Sequence, residues 1–329
     1  MKKRCGKTLT LSILMALLAG TVPAFAGDVT GQQVTIDQDQ KGGLICGGHA
    51  MDGNALNNTL SILGSASITS KDFNSSVTAS NATVAGGYAE NGNAISNTVK
   101  FSGTGNHEIG YIYGGVLKNK SYETTTQEAS GNQVIFSGGT VRGAEFIAGA
   151  EAYHTVDNQV TITDGILENA MLVAGGLGGD KLVQGNAVSV AGKANLTVLG
   201  MAGGLNFDDS GDALGNQVAI GQDASVTAVA IGGGAGASAS QNLADIKGKV
   251  TGYLLGGGGV DGSSETAAVS SNVLNLENAT LIPIQKEQAQ SILKSTIDED
   301  YEDLINALKK PGESIQAAGG ALLEGGKAT

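Results

Sequence analysis

Two stretches decide the fold, Asn132-Gln-Val-Ile-Phe136 and Asn158-Gln-Val-Thr-Ile162. In each, an asparagine is followed by apolar side chains at the second and fourth positions after it. The same phrase recurs eight times, at spacings of 26 to 39 residues, and so contributes sixteen apolar residues. It begins at Asn58, Asn97, Asn132, Asn158, Asn186, Asn216, Asn242 and Asn272. Because alternate side chains of a strand point to the same face, all sixteen are predicted to face one interior.

A pair of glycines precedes most of these strands and is the second landmark of the repeat. Before Asn158 the chain has Ala148-Gly149-Ala150 instead. The pairs are Gly47-Gly48, Gly86-Gly87, Gly114-Gly115, Gly175-Gly176, Gly203-Gly204, Gly232-Gly233 and Gly256-Gly257. Glycine suits bends with positive φ and places where two backbones approach closely. One unit is therefore predicted to contain a strand, a tight turn, a second strand, a Gly-Gly bend and a polar loop.

A unit of this size cannot bury its own apolar face, so the units must stack. Stacking predicts an all-β fold: a parallel β-solenoid of about eight to nine coils over residues 27–284. A right-handed β-helix is expected, because strand crossovers favour that hand. No proline lies between Pro23 and Pro283, which agrees with strands that must keep every ladder hydrogen bond. A β-propeller is the main alternative, but its units are longer and usually carry aromatic signatures.

The asparagine at each strand start has two explanations. The side chains could form an amide ladder, each bonding to the asparagines of the neighbouring coils. Alternatively, asparagine could be used because it tolerates the turn conformation that enters a strand. The sequence leaves both explanations open, and neither implies catalysis.

The first 26 residues have the pattern of a secretory signal peptide. An apolar run over residues 9–18 leads to Ala24-Phe25-Ala26, which fits a cleavage site before Gly27. The cations ahead of the run are Lys2, Lys3, Arg4 and Lys7. The sequence thus predicts export through the Sec pathway to the cell surface, the outer membrane or the medium. The mature chain has no later stretch of about 18 apolar residues, so no transmembrane span is expected.

Charge and composition argue against a nucleic-acid partner and limit the side chains available for binding sugars. The chain of 329 residues has a net charge of -12, which becomes -16 when the four cations of the signal peptide are removed. This excess of negative charge disfavours a nucleic-acid partner. Aromatic residues make up 4% of the chain and tryptophan is absent, so the aromatic side chains that usually bind sugars are scarce.

Residues that could carry catalytic or metal chemistry are few. His49, His107 and His154 fall in different units without paired metal-ligand spacing, so they are expected to be ordinary surface residues. Cys46 is the one cysteine after the signal peptide and is expected to be a small buried side chain. No catalytic, cofactor-binding or metal-binding residue, and no cofactor, is therefore assigned.

The stretch from Gly256 to Asp261 matches the first part of a calcium-binding nonapeptide. Ser263 stands where that motif needs a large apolar residue, and no second copy follows. Calcium is therefore not predicted there.

Acidic residues in the polar loops form the best candidate constellation. The loops are expected to stack along one edge of the rod. They carry Asp52, Glu90, Glu123, Glu151, Asp157, Asp180, Asp208, Asp209, Asp212, Asp261 and Glu265. Asp208, Asp209 and Asp212 are close enough in sequence to share a cation or a sugar, and paired carboxylates can cleave polysaccharides. The simpler interpretation is a solvated, repulsive edge that prevents association.

From Gln285 onward the pattern becomes that of an amphipathic helix. Pro283 precedes the helix, and Pro311-Gly312 follows it. The apolar residues at helical spacing are Leu293, Ile297, Tyr301, Leu304 and Leu308. Residues 285–329 are predicted to be a helix that caps the open end of the solenoid, followed by a loosely ordered tail. A linker helix or a partner-binding helix is the alternative.

The stretches that begin at Asn132 and Asn158 resemble repeats in the passenger regions of bacterial autotransporters and related surface adhesins. The resemblance covers about residues 45–280 and lies in the style of the repeat. It implies a non-enzymatic, exported β-helical surface domain, often adhesive, that binds a glycan or protein of a host or neighbouring cell.

This family carries a C-terminal outer-membrane barrel, but no series of ten-residue amphipathic strands follows Leu281. Two expectations follow: either the protein is truncated and a barrel is encoded beyond this chain, or it is a barrel-less relative that is released or held by another component. The Asn-Pro-rich signature expected of two-partner secretion is absent as well. The alternative function is that of a β-helical polysaccharide lyase or glycoside hydrolase.

Overall fold

The structure is a computed structural model of the chain. It describes residues 24–69, 82–119, 127–179, 181–207, 211–260, 268–296, 312, 314–322 and 327–328. In these residues the strands lie in two stacks, a sheet of ten short strands and a sheet of 21 longer ones. The fold is the predicted parallel β-solenoid, while its right-handedness stays a prediction.

The ten-stranded sheet contains the short strand that ends each polar loop. Its members are β1 (Val29–Thr30), β5 (Ala55–Leu56), β9 (Ala94–Ile95), β13 (Glu128–Ser130), β16 (His154–Val156), β18 (Val183–Gln184), β21 (Asp212–Leu214), β24 (Ser238–Ser240), β27 (Ala268–Ser270) and β31 (Lys327–Ala328).

The larger sheet winds around the remaining sides of the rod. Its members are β2 (Gln33–Ile36), β3 (Gln40–Lys41), β4 (Leu44–Ala50), β6 (Thr59–Gly64), β7 (Ile68–Thr69), β8 (Thr83–Ala89), β10 (Thr98–Gly103), β11 (Asn106–Glu108), β12 (Tyr111–Leu117), β14 (Gln133–Arg142), β15 (Phe146–Glu151), β17 (Gln159–Gly178), β19 (Ala187–Val190), β20 (Asn195–Asn206), β22 (Gln217–Ile220), β23 (Ser225–Gly236), β25 (Leu243–Ile246), β26 (Lys249–Val260), β28 (Val273–Asn275), β29 (Thr280–Pro283) and β30 (Gln316–Leu322).

Equivalent residues of successive units lie directly beside each other. Val160 pairs with Val188, and Val188 pairs with Val218, in parallel register. Fourteen of the sixteen apolar residues of the repeat are buried inside the column. The other two, Leu274 and Leu276, are half-buried and pack against the same core from the last unit. Burial of this apolar column is the main driving force for the fold.

The asparagine at each strand start belongs to a continuous ladder of side-chain amides. The Oδ1 atom of Asn158 accepts hydrogen bonds from the backbone N and the Nδ2 of Asn132, both at 2.9 Å. Its Nδ2 donates to Oδ1 of Asn186 at 2.9 Å and to the carbonyl of Ala129 at 2.8 Å. The pattern continues from Asn58 to Asn272, and all these asparagines except Asn272 are buried. The ladder thus satisfies every buried amide in the column.

The ladder also decides between the two explanations for asparagine. A left-handed backbone is found at the residue before each ladder asparagine, with φ between 54° and 64°. Those residues are Asn57, Ser96, Gly131, Asp157, Gly185, Gly215, Gln241 and Ser271. The ladder asparagines themselves have no positive φ. Tolerance of a turn conformation is therefore the wrong explanation, and the hydrogen bonds are the right one.

The paired glycines are required by close approach of the chain rather than by positive φ. A Cβ on Gly203 would lie 2.3 Å from the backbone N of Gln217, and one on Gly204 would lie 2.4 Å from Oδ1 of Asn216. The second glycine of each pair leaves room for the asparagine ladder in this way. Ala150 takes the place of that glycine beside Asn158, so one rung accommodates a methyl group.

Two of the glycine pairs predicted from the sequence are wrong by one residue. The pairs in register with the others are Gly233-Gly234 and Gly257-Gly258, since Gly204 pairs with Gly234 and Gly234 with Gly258. Both lie in longer glycine runs, where the sequence alone does not mark the pair. Gly232 instead lies beside Ala202, and a Cβ there would have its nearest neighbour 4.0 Å away.

The C-terminal helix differs in position from the predicted end cap. Helix α1 (Lys286–Thr296) lies on the side of the rod, where Ala289, Ile292 and Leu293 pack against Val229 and Tyr253. These two residues are outward-facing apolar side chains of β23 and β26, so the helix covers apolar surface that would otherwise meet water. Residues 297–311, which include the rest of the predicted helix, lie outside the described residues.

The solenoid resumes after this helix, in contrast to the predicted loose tail. Strand β29 pairs with the first part of β26, ending with Pro283 beside Gly252. Strand β30 pairs with the rest of β26, beginning with Gln316 beside Leu254. Only Tyr253 separates the two parts of β26 with which these strands pair.

Replacing a central ladder asparagine should destabilise the fold strongly. Asn158→Leu keeps the branching and the number of side-chain heavy atoms but leaves the amide of Asn132 and the carbonyl of Ala129 buried without their partner. At about 1–3 kcal/mol for each unsatisfied group, a loss of at least about 3 kcal/mol is expected in urea unfolding. Asn195→Leu, at an exposed asparagine, is the control and should change the stability by less than about 1 kcal/mol. Equal effects of the two substitutions would contradict the ladder.

Substitution by alanine should have opposite effects on the free energy of unfolding at a glycine that faces the ladder and at one that does not. Gly204→Ala forces a methyl group into the ladder amide of Asn216 and is expected to lower the stability by about 1–3 kcal/mol. Gly232→Ala meets open space and should be neutral or stabilising by up to about 1 kcal/mol, because alanine loses less backbone entropy on folding. Thermal unfolding of both variants, followed by circular dichroism, checks this difference. The register assigned to the glycine run fails if Gly232→Ala is the more harmful change.

Candidate functional site

The outer surface of one side of the rod carries a cluster of tyrosines. Tyr111 and Tyr113 are alternate residues of β12, and Ile112 between them points into the core. Because side chains alternate along a strand, both tyrosines face outward. Phe146 pairs with Tyr111 from the next coil and occupies the equivalent outward-facing position.

The aromatic rings of this side contact one another across coils. The rings of Tyr111 and Tyr113 are nearly parallel, with centroids 6.2 Å apart and an angle of 16° between them. Phe146 lies 5.9 Å from Tyr111 and 5.9 Å from Phe207, centroid to centroid. Tyr88 meets the ring of His49 edge-on at 5.0 Å. Side chains that are scarce and scattered in the sequence thus form one surface.

A cavity of about 580 Å³ opens on this surface, and we call it the tyrosine groove. Its lining combines four tyrosines with one carboxylate, one lysine and a few apolar and amide side chains. The lining residues are Thr83, Tyr88, Tyr111, Tyr113, Val116, Leu117, Lys118, Asn119, Glu151 and Tyr153. They come from three successive coils, so only stacking brings them together.

Carboxylates surround the tyrosine rings. The hydroxyl of Tyr111 donates to the carboxylate of Glu145, and Glu151 is close enough to Tyr113 to raise the pKa of its hydroxyl. Burial, reinforced by nearby carboxylates, raises the pKa of Tyr88 to about 12 and holds the pKa values of Tyr111 and Tyr113 well above the usual range. The tyrosines are therefore neutral donors at any physiological pH, and the negative charge of the groove is that of its carboxylates.

Glu90 lies at the edge of the tyrosine groove with two partners. Its Oε1 is 2.9 Å from Nε2 of His49, and its Oε2 is 3.5 Å from Nζ of Lys118. The hydrogen bond from His49 is the main reason that the pKa of Glu90 is lowered. This carboxylate therefore stays charged.

An apolar trough of about 630 Å³ continues the same outer side toward the C-terminal coils. It is lined mainly by small residues of β20, β23, β26 and β30, together with Leu172 and Leu254. Phe207 lines the trough, contacts Phe146 and is 54% exposed.

The three histidines have different environments. His49 pairs with Glu90, and Nδ1 of His154 lies 3.9 Å from Glu128. The predicted surface position of His107 is wrong. Its side chain is 3% exposed, and its Nδ1 accepts a hydrogen bond from the backbone N–H of Ile68. Within the described part of the chain, no three histidine, cysteine or acidic side chains come together as metal ligands would.

The prediction for Cys46 is confirmed, since its side chain is free and buried. Burial raises the pKa of its thiol to about 12, so it is not a thiolate nucleophile. Of the incomplete calcium motif, Gly256 and the four residues after it are part of β26, while Asp261 and Ser263 lie outside the described residues.

The predicted acidic edge does not behave as one unit. Glu151 lines the tyrosine groove and Glu90 pairs with Lys118 of its lining, whereas Asp52, Asp157 and Asp212 are exposed. The remaining members lie outside the described residues: Glu123, Asp180, Asp208, Asp209, Asp261 and Glu265. The lyase or hydrolase alternative depended on Asp208, Asp209 and Asp212, and the structure adds nothing in its favour.

The aromatic cluster could have been predicted from the sequence by position in the repeat, although not from the overall composition. Tyr111 and Phe146 each stand three residues before the first glycine of their unit, at the place of Leu44 and Leu172. Aligning the units on that glycine would have placed these rings side by side. The overall aromatic content of 4% indicated only that aromatic side chains are scarce.

Comparisons with family models, curated proteins and solved structures found no match to this chain. In the part of the chain that the structure describes, no helix has both the length and the apolar character to cross a membrane. The class of protein is thus defined by the fold, a parallel β-solenoid with a lateral aromatic groove.

Acid should destabilise the protein through His107. Burial beside Phe101 lowers the pKa of His107 to about 4, below the value of about 6.5 in an unfolded chain. The folded state therefore binds fewer protons, and its stability falls as the pH drops from 6.5 toward 4, by up to about 3 kcal/mol.

His107→Gln keeps an acceptor for Ile68 and removes the titrating ring. Urea unfolding at pH 7, 5.5 and 4 should show that the variant loses less stability than the wild type over this range. Parallel pH profiles of the two proteins would contradict the assignment to His107.

Proposed function

We propose that this chain is a non-enzymatic, exported cell-surface module of the autotransporter-passenger kind, which adheres to its target through the tyrosine groove. The gathering of outward-facing tyrosines and phenylalanines from several coils on one side of the rod carries the proposal. Tyrosine combines a large apolar ring with a polar hydroxyl and is enriched in the cores of binding interfaces.

The architecture suits such a role. The core of a solenoid is closed inside the column, so outward positions can vary without cost to the fold. Exposed aromatic rings cost solvation free energy unless a partner covers them. Phe207 and the half-buried Tyr88, Tyr111 and Tyr153 thus offer surface that gains free energy on binding.

The remaining parts of the proposal rest on the sequence. The signal peptide supports export through the Sec pathway, to the cell surface, the outer membrane or the medium. The expected partner is a glycan or protein on a host or neighbouring cell. The resemblance of the repeats to autotransporter passengers supports anchorage by an outer-membrane barrel encoded beyond this chain.

A binding assay with groove variants tests the proposal. The purified chain is applied to immobilised cells, matrix proteins and glycans, and Tyr88→Ala and Tyr153→Ala are compared with the wild type. Each variant should bind at least about tenfold more weakly, as expected for tyrosines at an interface centre. Ile166→Ala and Leu63→Ala change exposed apolar residues outside the groove and should bind like the wild type.

Adhesion through the groove is refuted if no surface is bound. It is also refuted if folded groove variants bind as well as the controls. Circular dichroism of every variant shows whether the solenoid is intact.

A further inference from the structure

We propose that residues 297–311 of this chain lie in its own apolar trough and fill it with their apolar side chains. The trough then belongs to the interior of the protein, and the tyrosine groove is left as the surface available to a partner. This inference does not depend on the proposed adhesive function.

The path of helix α1 sets where the segment begins. The chain enters the helix at the level of β26, because the backbone N–H of Ile284 donates to the carbonyl of Gly252 at 3.0 Å. The helix then contacts β20 and β17, which belong to earlier coils. Its 11 residues extend about 16 Å, and the three coil spacings from β26 to β17 amount to about 14 Å. Helix α1 therefore runs along the rod toward the earlier coils and ends near β17.

The chain must then return across the same coils. Gly312 lies at the beginning of the helix, because a Cβ built on it would be 2.8 Å from Oε1 of Gln285. Gln316 follows and pairs with Leu254 in β26. Residues 297–311 thus connect the β17 end of α1 to its β26 end. As a helix they would extend about 22 Å, which is enough to cover that distance.

Different rows of equivalent residues lie on either side of the row that helix α1 covers. The covered row is Leu199, Val229 and Tyr253. On one side, the next residue of each strand lines the trough: Gly200, Ala230 and Leu254. On the other side, two residues earlier, the row consists of stacked threonines: Thr197, Thr227 and Thr251. A chain that returns beside α1 therefore meets either the apolar trough or a row of hydroxyls.

The apolar side chains of the returning segment favour the trough. Ile297, Tyr301, Leu304 and Leu308 follow Leu293 at helical spacing, and Leu293 packs against the rod. Apolar surface buried in the trough gains about 25 cal/mol per Å², whereas covering hydroxyls without giving them hydrogen bonds costs free energy.

Other stretches of the sequence that follow trough-lining strands lack this apolar character. They are residues 208–210, 261–267 and 323–326. Together they contain one apolar side chain larger than alanine, Leu323. The segment 297–311 is therefore the part of the chain that matches the trough.

A ligand from outside is the competing occupant. A segment joined to the rod at both ends has an effective concentration of about millimolar at the trough, so a free ligand must bind more tightly than that to displace it. The trough also offers few polar side chains that could orient a small molecule, Asn206 and Gln316 among them. Both considerations favour the tethered segment.

A single tryptophan reports where the segment lies, because the chain has none of its own. Tyr301→Trp in the full chain should give blue-shifted emission and protection from acrylamide, compared with the same variant unfolded in urea. Adding Ala230→Phe fills the trough with a ring and should shift the emission to the red and restore quenching. Ala219→Phe is the matched control, since Ala219 is also a half-buried alanine but lies on β22 outside the trough, and it should leave the emission unchanged.

Binding of the apolar dye ANS gives a second measurement, on chains without tryptophan. The wild type should bind little dye, because the trough is filled. The double variant Leu304→Ser, Leu308→Ser should bind dye with enhanced fluorescence, and adding Ala230→Phe should remove that binding. Circular dichroism of every variant shows whether the solenoid is intact.

A solvent-exposed tryptophan in Tyr301→Trp, or emission that Ala230→Phe leaves unchanged, overturns the proposal. Dye binding by the wild type that Ala230→Phe abolishes also overturns it and makes the trough an open site for an external ligand. None of these outcomes bears on adhesion through the tyrosine groove, which Tyr88→Ala and Tyr153→Ala test separately.

Discussion

The ladder of buried asparagine amides is the constraint on which the rest of the structure depends. Each rung needs an asparagine in the column, a residue with left-handed backbone before it, and a residue without a large side chain opposite it. Asn216, Gly215 and Gly204 are one such set. Because each amide bonds to the next coil, the register of one coil fixes the register of its neighbour. A shift by one residue would leave several buried amide groups unpaired, at about 1–3 kcal/mol each.

Much of this could be predicted from the sequence, since asparagine and apolar residues recur in a fixed order. The eight asparagines and the apolar residues two and four positions later were sufficient for the fold class. The sequence could not show which residue of a glycine run faces the ladder, because Gly232 and Gly234 are chemically identical. The close approach of Gly234 to the side chain of Asn242 and the pairing of Gly232 with Ala202 distinguish the two glycines only in three dimensions.

The positions of single side chains were less predictable. His107 looked like a loop residue, but it lies in β11 with its ring against Phe101. Helix α1 has a recognisable pattern, yet the pattern does not say which surface it covers. The tyrosine groove was hidden for a related reason: Tyr88, Tyr111 and Tyr153 are far apart in sequence and meet only because three coils stack. Unequal loop lengths between coils conceal that alignment from any fixed sequence spacing.

The passage from β29 to β30 has a consequence for how such a rod changes over time. Strands β29 and β30 pair with β26 on either side of Tyr253, although a segment of 32 residues, numbers 284–315, lies between them in the sequence. The wall closes behind it without any change in register. The corner at Tyr253 is thus a port where new material can be inserted while the register of the column is kept. Protein engineers could use the same port to graft foreign loops or whole domains onto a stiff scaffold.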